Sequence, residues 1–453
     1  MNVSKRKFSL FRLTPPQILV IGFAIIILTG AALLTLPVAS TDGIHTPFLD
    51  ALFTATSATC VTGLVVVDTG THWTLFGQVV IILLIQIGGL GFMTMGTLIA
   101  LVIRKKISLR ERLILQEAMN QGSMEGIVRL IRRVLLYALT IEAAGAALLT
   151  IRWSFDMPFG KALYYGVWHG ISMFNNAGFD LFGGINGKFS SLTGYVDDPI
   201  VNFTVMALIV LGGLGFIVIA DVHEFRKTRK LSLHSKVVLS ATAFLIVFGA
   251  MVICAFEFTN PATLGPLSPA GKIWASLFAS VTPRTAGANT IDVAGMRQAT
   301  QFFTVILMFI GASPGSTGGG VKTTTFTILI GAMIAMIRGK EDIVLFRNRL
   351  AKDRIYKAIT LTFFALFLVV FVTMLLSTTE DYFFLKILFE VTSAFGTVGL
   401  SMGLTPDLST IGKILIALMM FIGRLGPLTL AYALGPRPEK ELYRYPEGKV
   451  TIG

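Results

Sequence analysis

Charged residues are scarce in this sequence. Asp, Glu, Lys and Arg together make up 14% of 453 residues, against about a quarter in soluble domains, whereas apolar residues make up 54%. A water-soluble chain of this length needs many more charges to cover its surface. The composition therefore excludes a soluble protein and indicates an integral membrane protein.

Cysteine and histidine are also scarce, and their placement excludes a disulfide framework or a metal centre. The two cysteines, Cys60 and Cys254, lie in apolar segments, and none of the five histidines stands at metal-ligand spacing from another ligand. No catalytic triad, phosphate-binding loop or nucleotide fingerprint is found. We therefore expect no cofactor and no enzyme; a polytopic membrane enzyme is the alternative that these absences disfavour.

Long apolar runs, in contrast, are abundant. About 20 apolar residues cross a bilayer as a helix, and eight runs qualify: residues 17–38, 73–103, 134–151, 201–222, 237–258, 301–337, 355–376 and 411–434. Lys and Arg exceed Asp and Glu by 13, and most of them lie at the termini and in alternate loops. The positive-inside rule places these loops and both termini in the cytoplasm. The positive excess is thus expected to reflect membrane orientation rather than nucleic-acid binding.

Four shorter segments on the outer side share one pattern. Each ends in small polar residues and a glycine, and the glycines Gly63, Gly178, Gly287 and Gly399 are 115, 109 and 112 residues apart. An aromatic residue precedes the glycine by ten positions in three segments and by nine in the third. Each segment is too short to span the bilayer, so the pattern predicts a half-helix and a re-entrant loop.

A second set of matches supports a fourfold repeat. The sequence Gly-Gly-Leu-Gly-Phe occurs at residues 88–92 and again at 212–216, and Phe-Ile-Gly occurs at 309–311 and at 421–423. We predict an all-α membrane protein with eight transmembrane helices, arranged as four helix–re-entrant loop–helix repeats around a pseudo-fourfold central pore. The repeats comprise residues 1–128, 129–231, 232–348 and 349–453.

Four such loops would direct backbone carbonyl oxygens towards one axis. Rings of carbonyl oxygens replace the hydration shell of a monovalent cation, and the negative C-terminal ends of the half-helices would favour the same charge. The alternative is that the glycines only permit tight helix packing, as small residues do in membranes.

The sixth apolar run is too long for one span. Its 37 residues would make a helix of about 55 Å, and its centre contains residues that cannot stay helical: Gly311, Ala312, Ser313, Pro314, Gly315, Ser316, Thr317, Gly318, Gly319 and Gly320. Irregular backbone at this depth must line a cavity, so we predict a gate below the loops. A kinked helix packed by small residues is the alternative. Lys322 closes the segment and could bind backbone carbonyls or a carboxylate.

Two further charges lie inside apolar spans. Arg424 is too deep to reach the interface, which makes it a functional candidate: either an electrostatic barrier to cations or half of an ion pair with Glu142 or Glu390. We favour the barrier. Glu142 itself is expected to bind a neighbouring helix or backbone rather than the permeant ion.

The loop motifs resemble those of the Trk/Ktr/HKT superfamily of potassium transporters, with the bacterial KtrB/KtrD membrane subunits as the most similar branch. The motifs are Thr59–Leu64, Asn175–Phe179, Pro283–Gly287 and Phe395–Leu400, and the resemblance extends to Gln86–Phe92, Phe421–Pro427 and the ending Tyr443–Gly448. It implies an intramembrane gate at Gly311–Gly320 with Lys322 and Arg424. It also implies a K+ selectivity filter made of Thr59, Cys60, Val61, Thr62, Gly63, Asn175, Asn176, Ala177, Gly178, Arg284, Thr285, Ala286, Gly287, Gly396, Thr397, Val398 and Gly399.

The resemblance further implies a permeant ion, partners and a location. The glycine at all four filter positions favours K+ over Na+, while Na+ remains open as a coupling or activating ion, and a sodium-selective or sodium/potassium-cotransporting relative is the alternative. The implied partners are a second copy of the chain, contacted through the Tyr443–Gly453 tail, and a cytosolic nucleotide-binding ring of the KtrA/KtrC type. The implied location is the bacterial plasma membrane. Residues 108–133 are predicted to form surface helices broken near Gly122, suited to a lipid surface or a partner.

Overall fold

Four long helices form the frame of the protein. The computed structural model describes residues 13–91, 94, 109–118, 127–340, 342–434 and 448. Within these residues the long helices are Pro15–Leu34, Ile127–Trp153, Leu233–Glu257 and Lys352–Thr379. All four are long and apolar enough to cross a membrane, since 20 residues of helix extend about 30 Å.

Each long helix is followed by a short, buried helix and then by an apolar helix of intermediate length. We call the short ones central helices: Phe48–Thr59, Phe159–Phe174, Pro269–Val281 and Phe384–Gly396. We call the others return helices: Leu75–Leu90, Pro199–Leu214, Gln298–Phe309 with Thr323–Ile337, and Thr410–Leu425. Among the described residues, the order long–central–return thus occurs four times.

The contacts between these helices follow a cycle. Every central helix packs against the long helix of its own unit. Every return helix also packs against the central helix of the next unit, and the fourth return helix packs against the first central helix. The chain therefore closes on itself after four units, with the central helices innermost.

The first, second and fourth return helices begin at side-chain caps and end earlier than their apolarity predicts. Thr74, Asp198 and Ser409 each accept a hydrogen bond from a backbone N–H in the first turn of the helix that follows. The predicted runs 73–103, 201–222 and 411–434 are interrupted at Gly91, Gly215 and Gly426, which have φ of 84°, 92° and 83°. A right-handed helix cannot continue through that conformation, whatever the hydropathy of the residues beyond it.

The interruption divides the apolar runs into unequal parts. At Gly215 the next helix, Phe216–Thr228, departs at 99°, and after Gly426 a helix continues over Pro427–Leu434. Four described helices can cross a membrane by length and composition, or five if the bent pair is one span. The eight-span layout therefore remains a prediction, and most of the first run beyond Gly91 lies outside the described residues.

The remaining elements are short. They are the helices Thr69–His72, Gly183–Asn186 and Leu109–Ala118, the 3-10 turns Pro37–Ala39, Thr193–Tyr195 and Thr405–Asp407, and an antiparallel pair of strands, Val344–Leu345 and Asn348–Arg349. Of the predicted surface helices, 109–118 is present and the break at Gly122 lies outside the described part. Residues 127–133 instead begin the second long helix, which is a correction to the predicted boundary at residue 134.

Candidate functional site

The four central helices end in the same unusual turn. The residue two positions before each glycine has a left-handed backbone: Val61 at φ 57°, Asn176 at 59°, Thr285 at 72° and Thr397 at 51°. The glycines follow with φ of 93°, 67°, 78° and 90°. Left-handed geometry is uncommon for β-branched residues, so each turn needs support from its surroundings.

Hydrogen bonds to the central helices supply that support. The backbone N–H groups of Thr62, Ala177 and Val398 each donate at 2.8 Å to a serine carbonyl five residues earlier, as in a helix-ending Schellman turn. In the third unit Ala286 donates instead to Thr282, four residues earlier, at 2.9 Å. This turn is one residue shorter, which accounts for the spacing of nine rather than ten in the third sequence segment.

The four glycines lie against one another in a closed ring. A Cβ atom built on Gly63 would lie 3.4 Å from Cα of Gly178, and one on Gly178 would lie 3.0 Å from Cα of Gly287. The same distance is 3.0 Å from Gly287 to Gly399 and 3.0 Å from Gly399 back to Gly63. We call this arrangement the glycine ring. A side chain at any of its positions would enter space held by the next turn.

Carbonyl oxygens stand beside each member of the glycine ring. The Cβ positions of Gly63, Gly178, Gly287 and Gly399 would overlap the carbonyl oxygens of Ala177, Ala286, Val398 and Thr62 respectively. Each of the four turns therefore contributes one equivalent backbone oxygen beside the ring. The side chain of Arg284, in contrast, points away from it and donates at 3.1 Å to Thr242 Oγ1 on the third long helix.

Other glycines bring the return helices close to the central helices. A Cβ on Gly88, Gly212 or Gly423 would overlap the last-turn carbonyl oxygens of their own central helices, at Thr59, Phe174 and Phe395. For these glycines, tight helix packing is the role that the structure assigns. In the third unit the equivalent Gly311 faces Gly319 O instead, because the return helix is interrupted there.

Two cavities of opposite charge lie near the ring, and we name them outer and inner after the predicted orientation of the chain. The outer cavity, of about 250 Å³, is lined by all four ring glycines and by the carboxylates of Asp68, Asp180 and Asp292, with no Lys or Arg in its described lining. The inner cavity, of about 290 Å³, is lined by Arg424, Lys322 and Lys357 and no described acidic residue. The electric potential therefore favours cations in the outer cavity and opposes them in the inner cavity.

The interruption of the third return helix spans residues 310–322, which we call the break segment. The helix ends at Phe309 and resumes at Thr323, and Ile310 pairs with Val321 as a parallel bridge. The segment is held against the end of the second return helix: Ser313 N donates to Gly213 O at 3.0 Å and Thr317 N to Gly212 O at 3.2 Å. These carbonyls are free to accept because their helix stops at Gly215.

Two cationic side chains bind the break segment. Lys322 belongs to the segment itself, and Arg424 lies on the fourth return helix. Lys322 Nζ donates to Gly318 O at 2.6 Å and to Gly319 O at 3.4 Å. Arg424 donates through Nη1 to Thr317 O and through Nη2 to Gly88 O and Gly89 O, at the end of the first return helix. Both cations therefore bind backbone carbonyls.

The carboxylates considered as partners of Arg424 bind elsewhere. Glu390 accepts from Ser401 Oγ at 2.9 Å and from Thr405 Oγ1, on the outer return of the fourth loop. Glu142 accepts from Gln86 Nε2 at 3.1 Å and from Asn175 Nδ2 at 3.0 Å. Neither contact involves the arginine. Glu142 instead fixes the second loop to two helices, which agrees with the role expected for it.

Removing the Glu142 carboxylate is expected to destabilise the second loop. Glu142→Ala leaves the amide groups of Gln86 and Asn175 without this buried acceptor, at a cost of about 1–3 kcal/mol. We expect a lower midpoint of thermal unfolding for the purified protein. Glu142→Gln keeps an acceptor oxygen in place and serves as the control, expected to lose less; equal midpoints for the alanine variant and the unmodified protein would contradict this role.

The fold defines a helical membrane protein in which four similar units meet at a ring of four glycine turns, and the third unit has an interrupted helix. The sequence falls within the family described as TrkH, cation transport protein, whose model matches residues 11–440, and the chain belongs to that family. The family consists of transporters, which confirms that the chain is not an enzyme and confirms the resemblance drawn from its motifs.

Individual relatives agree with this assignment. The chain is 46% identical over 442 residues to Ktr system potassium uptake protein B of Bacillus subtilis, covering 98% of this chain and 97% of the relative. It is 43% identical to the potassium/sodium uptake protein NtpJ of Enterococcus hirae, covering 98% of each. Among solved structures, the potassium transporter TrkH from Vibrio parahaemolyticus has the same fold, with a TM-score of 0.73, 18% identity and coverage of 95% of this chain and 87% of that one.

Proposed function

We propose that this chain is the potassium-translocating subunit of a Ktr-type uptake system in a bacterial plasma membrane. The observation that carries the proposal is the closed ring of four glycine turns, each with a backbone oxygen against the next turn. The names of the relatives from Bacillus subtilis and Vibrio alginolyticus, both potassium uptake proteins, support the choice of ion.

The ring and its helices have the properties that a K+ filter needs. Backbone oxygens at fixed spacing replace the water ligands of a monovalent cation. Four central helices end at the ring, and each brings about half a negative charge from its dipole. The acidic outer cavity raises the local cation concentration before the filter. The filter in this proposal comprises the segments 59–63, 175–178, 284–287 and 396–399.

The break segment acts as the gate in this proposal. It lies beside the inner end of the ring, where Gly319 N donates to Thr397 Oγ1 at 3.0 Å. Lys322 and Arg424 add positive charge at this point, so a cation leaving the filter meets both a steric and an electrostatic barrier. Conduction then requires residues 311–320 to move aside.

The wider organisation follows the same proposal. Each of the four repeats, 1–128, 129–231, 232–348 and 349–453, contributes one quarter of a single pathway, and both termini face the cytoplasm. The word "system" in the relatives' names supports a further subunit, and we propose a homodimer regulated by a cytosolic nucleotide-binding ring of the KtrA/KtrC type. Apart from residue 448, the tail assigned to the dimer contact lies outside the described residues.

A second candidate function is transport that couples or admits Na+. The similarity to a potassium/sodium uptake protein supports it. The two candidates differ in what Na+ does: a K+ uptake protein uses it at most as an activator, whereas a cotransporter moves it along with K+.

A growth assay tests for K+ uptake, and ion-flux measurements distinguish K+ uptake from Na+-coupled transport. Expression of the chain in a bacterium deficient in potassium uptake is expected to restore growth at low K+, and purified protein in liposomes is expected to pass K+ and Rb+. The liposome assay is run with and without Na+, and Na+ movement is measured in parallel. Stoichiometric Na+ entry would favour cotransport, whereas absence of K+ flux from monodisperse, correctly inserted protein would refute both candidates.

A further inference from the structure

Each of the four turns is bonded to a buried hydroxyl near the end of the central helix that leads into it. The four residues, which we call the anchor residues, are Ser57, Ser172, Thr282 and Ser393. They precede their ring glycines by six positions in three units and by five in the shorter third turn. Each is at most 3% exposed, and all four lie outside the proposed filter and gate segments.

In the first and fourth units the anchor hydroxyl binds the backbone of the ring glycine itself. Gly63 N donates to Ser57 Oγ at 3.1 Å, and Gly399 N donates to Ser393 Oγ at 3.1 Å. The backbone carbonyl of the same serine accepts the N–H of the residue before the glycine at 2.8 Å. Each of these two serines therefore holds two consecutive peptide units of its turn.

These hydroxyls fix the direction of two ring oxygens. A trans peptide unit is planar, and its N–H and C=O point in opposite directions. The N–H of Gly63 shares its peptide unit with the carbonyl of Thr62, and in the fourth unit Gly399 is paired in the same way with Val398. Both carbonyl oxygens lie beside the glycine ring. Because each serine holds the N–H from behind, the oxygen of the same unit is turned towards the ring.

In the second and third units the anchor hydroxyl binds a different atom. Ser172 Oγ donates to Phe179 O at 2.7 Å, and Thr282 Oγ1 donates to Ala288 O at 2.5 Å. Each of these carbonyls belongs to the residue after the ring glycine, and the ring oxygens of these two units belong to other peptide units. The four anchor residues therefore form two pairs, of which only the first directs ring oxygens.

We propose that Ser57 and Ser393 are positioning residues for ion discrimination, because their hydroxyls hold two of the four ring oxygens at the spacing that fits K+. The inference rests on the proposed function and deepens it, since it assigns selectivity to residues behind the filter. Without the hydroxyl, the glycine N–H loses its acceptor and the peptide unit is free to rotate. Glycine permits that rotation more readily than other residues. A rotated unit takes its oxygen out of the ring, and the preference for K+ over the smaller Na+ falls.

Ser393→Ala and Ser57→Ala test the same bond in two different units. Uptake of K+ into liposomes is measured against competing Na+, which gives the ratio of the two apparent affinities. In each variant the ratio is expected to fall about three- to tenfold, as for one lost hydrogen bond. Partial misfolding lowers the number of active molecules but does not change this ratio, so the readout separates positioning from stability.

Two control variants remove buried hydroxyls that do not direct ring oxygens. Ser276 Oγ donates to Lys272 O at 2.7 Å within the third central helix, so Ser276→Ala matches the serine variants in size and burial. Thr282→Val keeps the side-chain volume and releases only Ala288 O. Both controls are expected to change the ratio by less than about twofold, which is below the effect of one hydrogen bond.

A measurement on the unmodified protein tests the two pairs without any variant. Structures of the full chain are determined in K+ and in Na+. The ring oxygens of Ala177 and Ala286 are expected to move more between the two salts than those of Thr62 and Val398, which the serines hold. Equal displacement of all four oxygens would contradict the distinction between the pairs.

The outcomes for this inference and for the proposed function are separate. An unchanged ratio in Ser57→Ala and Ser393→Ala, or an equal fall in either control, would overturn the positioning role and leave K+ uptake intact. Absence of K+ flux from the correctly inserted, unmodified protein would refute the proposed function instead.

Discussion

Gly399→Ser is expected to weaken apparent K+ affinity about tenfold, equivalent to about 1.4 kcal/mol, and to relax discrimination against Na+. Gly399 has φ of 90°, and its Cβ position overlaps the carbonyl oxygen of Thr62. A serine must therefore push one oxygen out of the glycine ring or twist its own backbone. Either change alters the spacing that matches K+. The measurement is concentration-dependent K+ uptake with and without competing Na+.

The chain offers a matched control for this substitution. Gly403 lies four residues further on, has φ of 75°, and has no atom within 4 Å of its Cβ position. Gly403→Ser imposes similar backbone strain without entering the ring, so it is expected to change uptake by less than about twofold. Equal kinetics for the two variants would reject the assignment of the ring as the filter.

Deleting residues 312–319 is expected to raise K+ flux about ten- to a hundredfold, because several hydrogen bonds that hold the break segment closed are lost together, each worth about 1 kcal/mol. The deletion is geometrically feasible. Gly311 N already donates to Val321 O at 2.8 Å, and a Cβ on Gly320 would lie 3.3 Å from Cα of Gly311. The two helical halves can thus be rejoined without moving apart. Flux is measured in liposomes at matched protein density.

A smaller change at the same place gives a graded comparison. Arg424→Gln removes the contacts to Thr317 and to the first return helix but keeps the segment, so an intermediate increase in flux is expected. Arg338→Gln removes an exposed positive charge after the third return helix and controls for loss of charge alone. A deletion variant that is stable and monodisperse yet conducts no faster would show that the break segment is not the gate.

Local composition was sufficient to predict much of the architecture. The interruption of the sixth run at residues 310–322 was predictable because Gly311–Gly320 contains glycines and a proline that oppose helix in any environment. The four short helices ending at glycine turns were predictable because each segment is too short to span a bilayer and ends in small polar residues and a glycine. The shorter third turn is also visible in the sequence, because Phe278 precedes its glycine by nine positions rather than ten.

Other features depend on residues distant in sequence and could not be predicted in this way. The return helices stop at Gly91, Gly215 and Gly426, where hydropathy continues, so a hydropathy pattern overestimates their length. The last glycine of the repeated Gly-Gly-Leu-Gly motif marks two of these stops and was the available signal. The contacts of Glu142 with Gln86, and of Thr397 with Gly319, join different units and have no local signature.

The ring of four unlike turns within one polypeptide has a genetic consequence. In a pore assembled from four identical chains, any inherited change is copied at every quadrant, so the smallest available alteration is fourfold. Here Gly63, Gly178, Gly287 and Gly399 are separate codons, and each quadrant can vary alone. Under the proposed function, ion preference can therefore evolve in small increments, and a damaging allele at one quadrant leaves the other three unaltered.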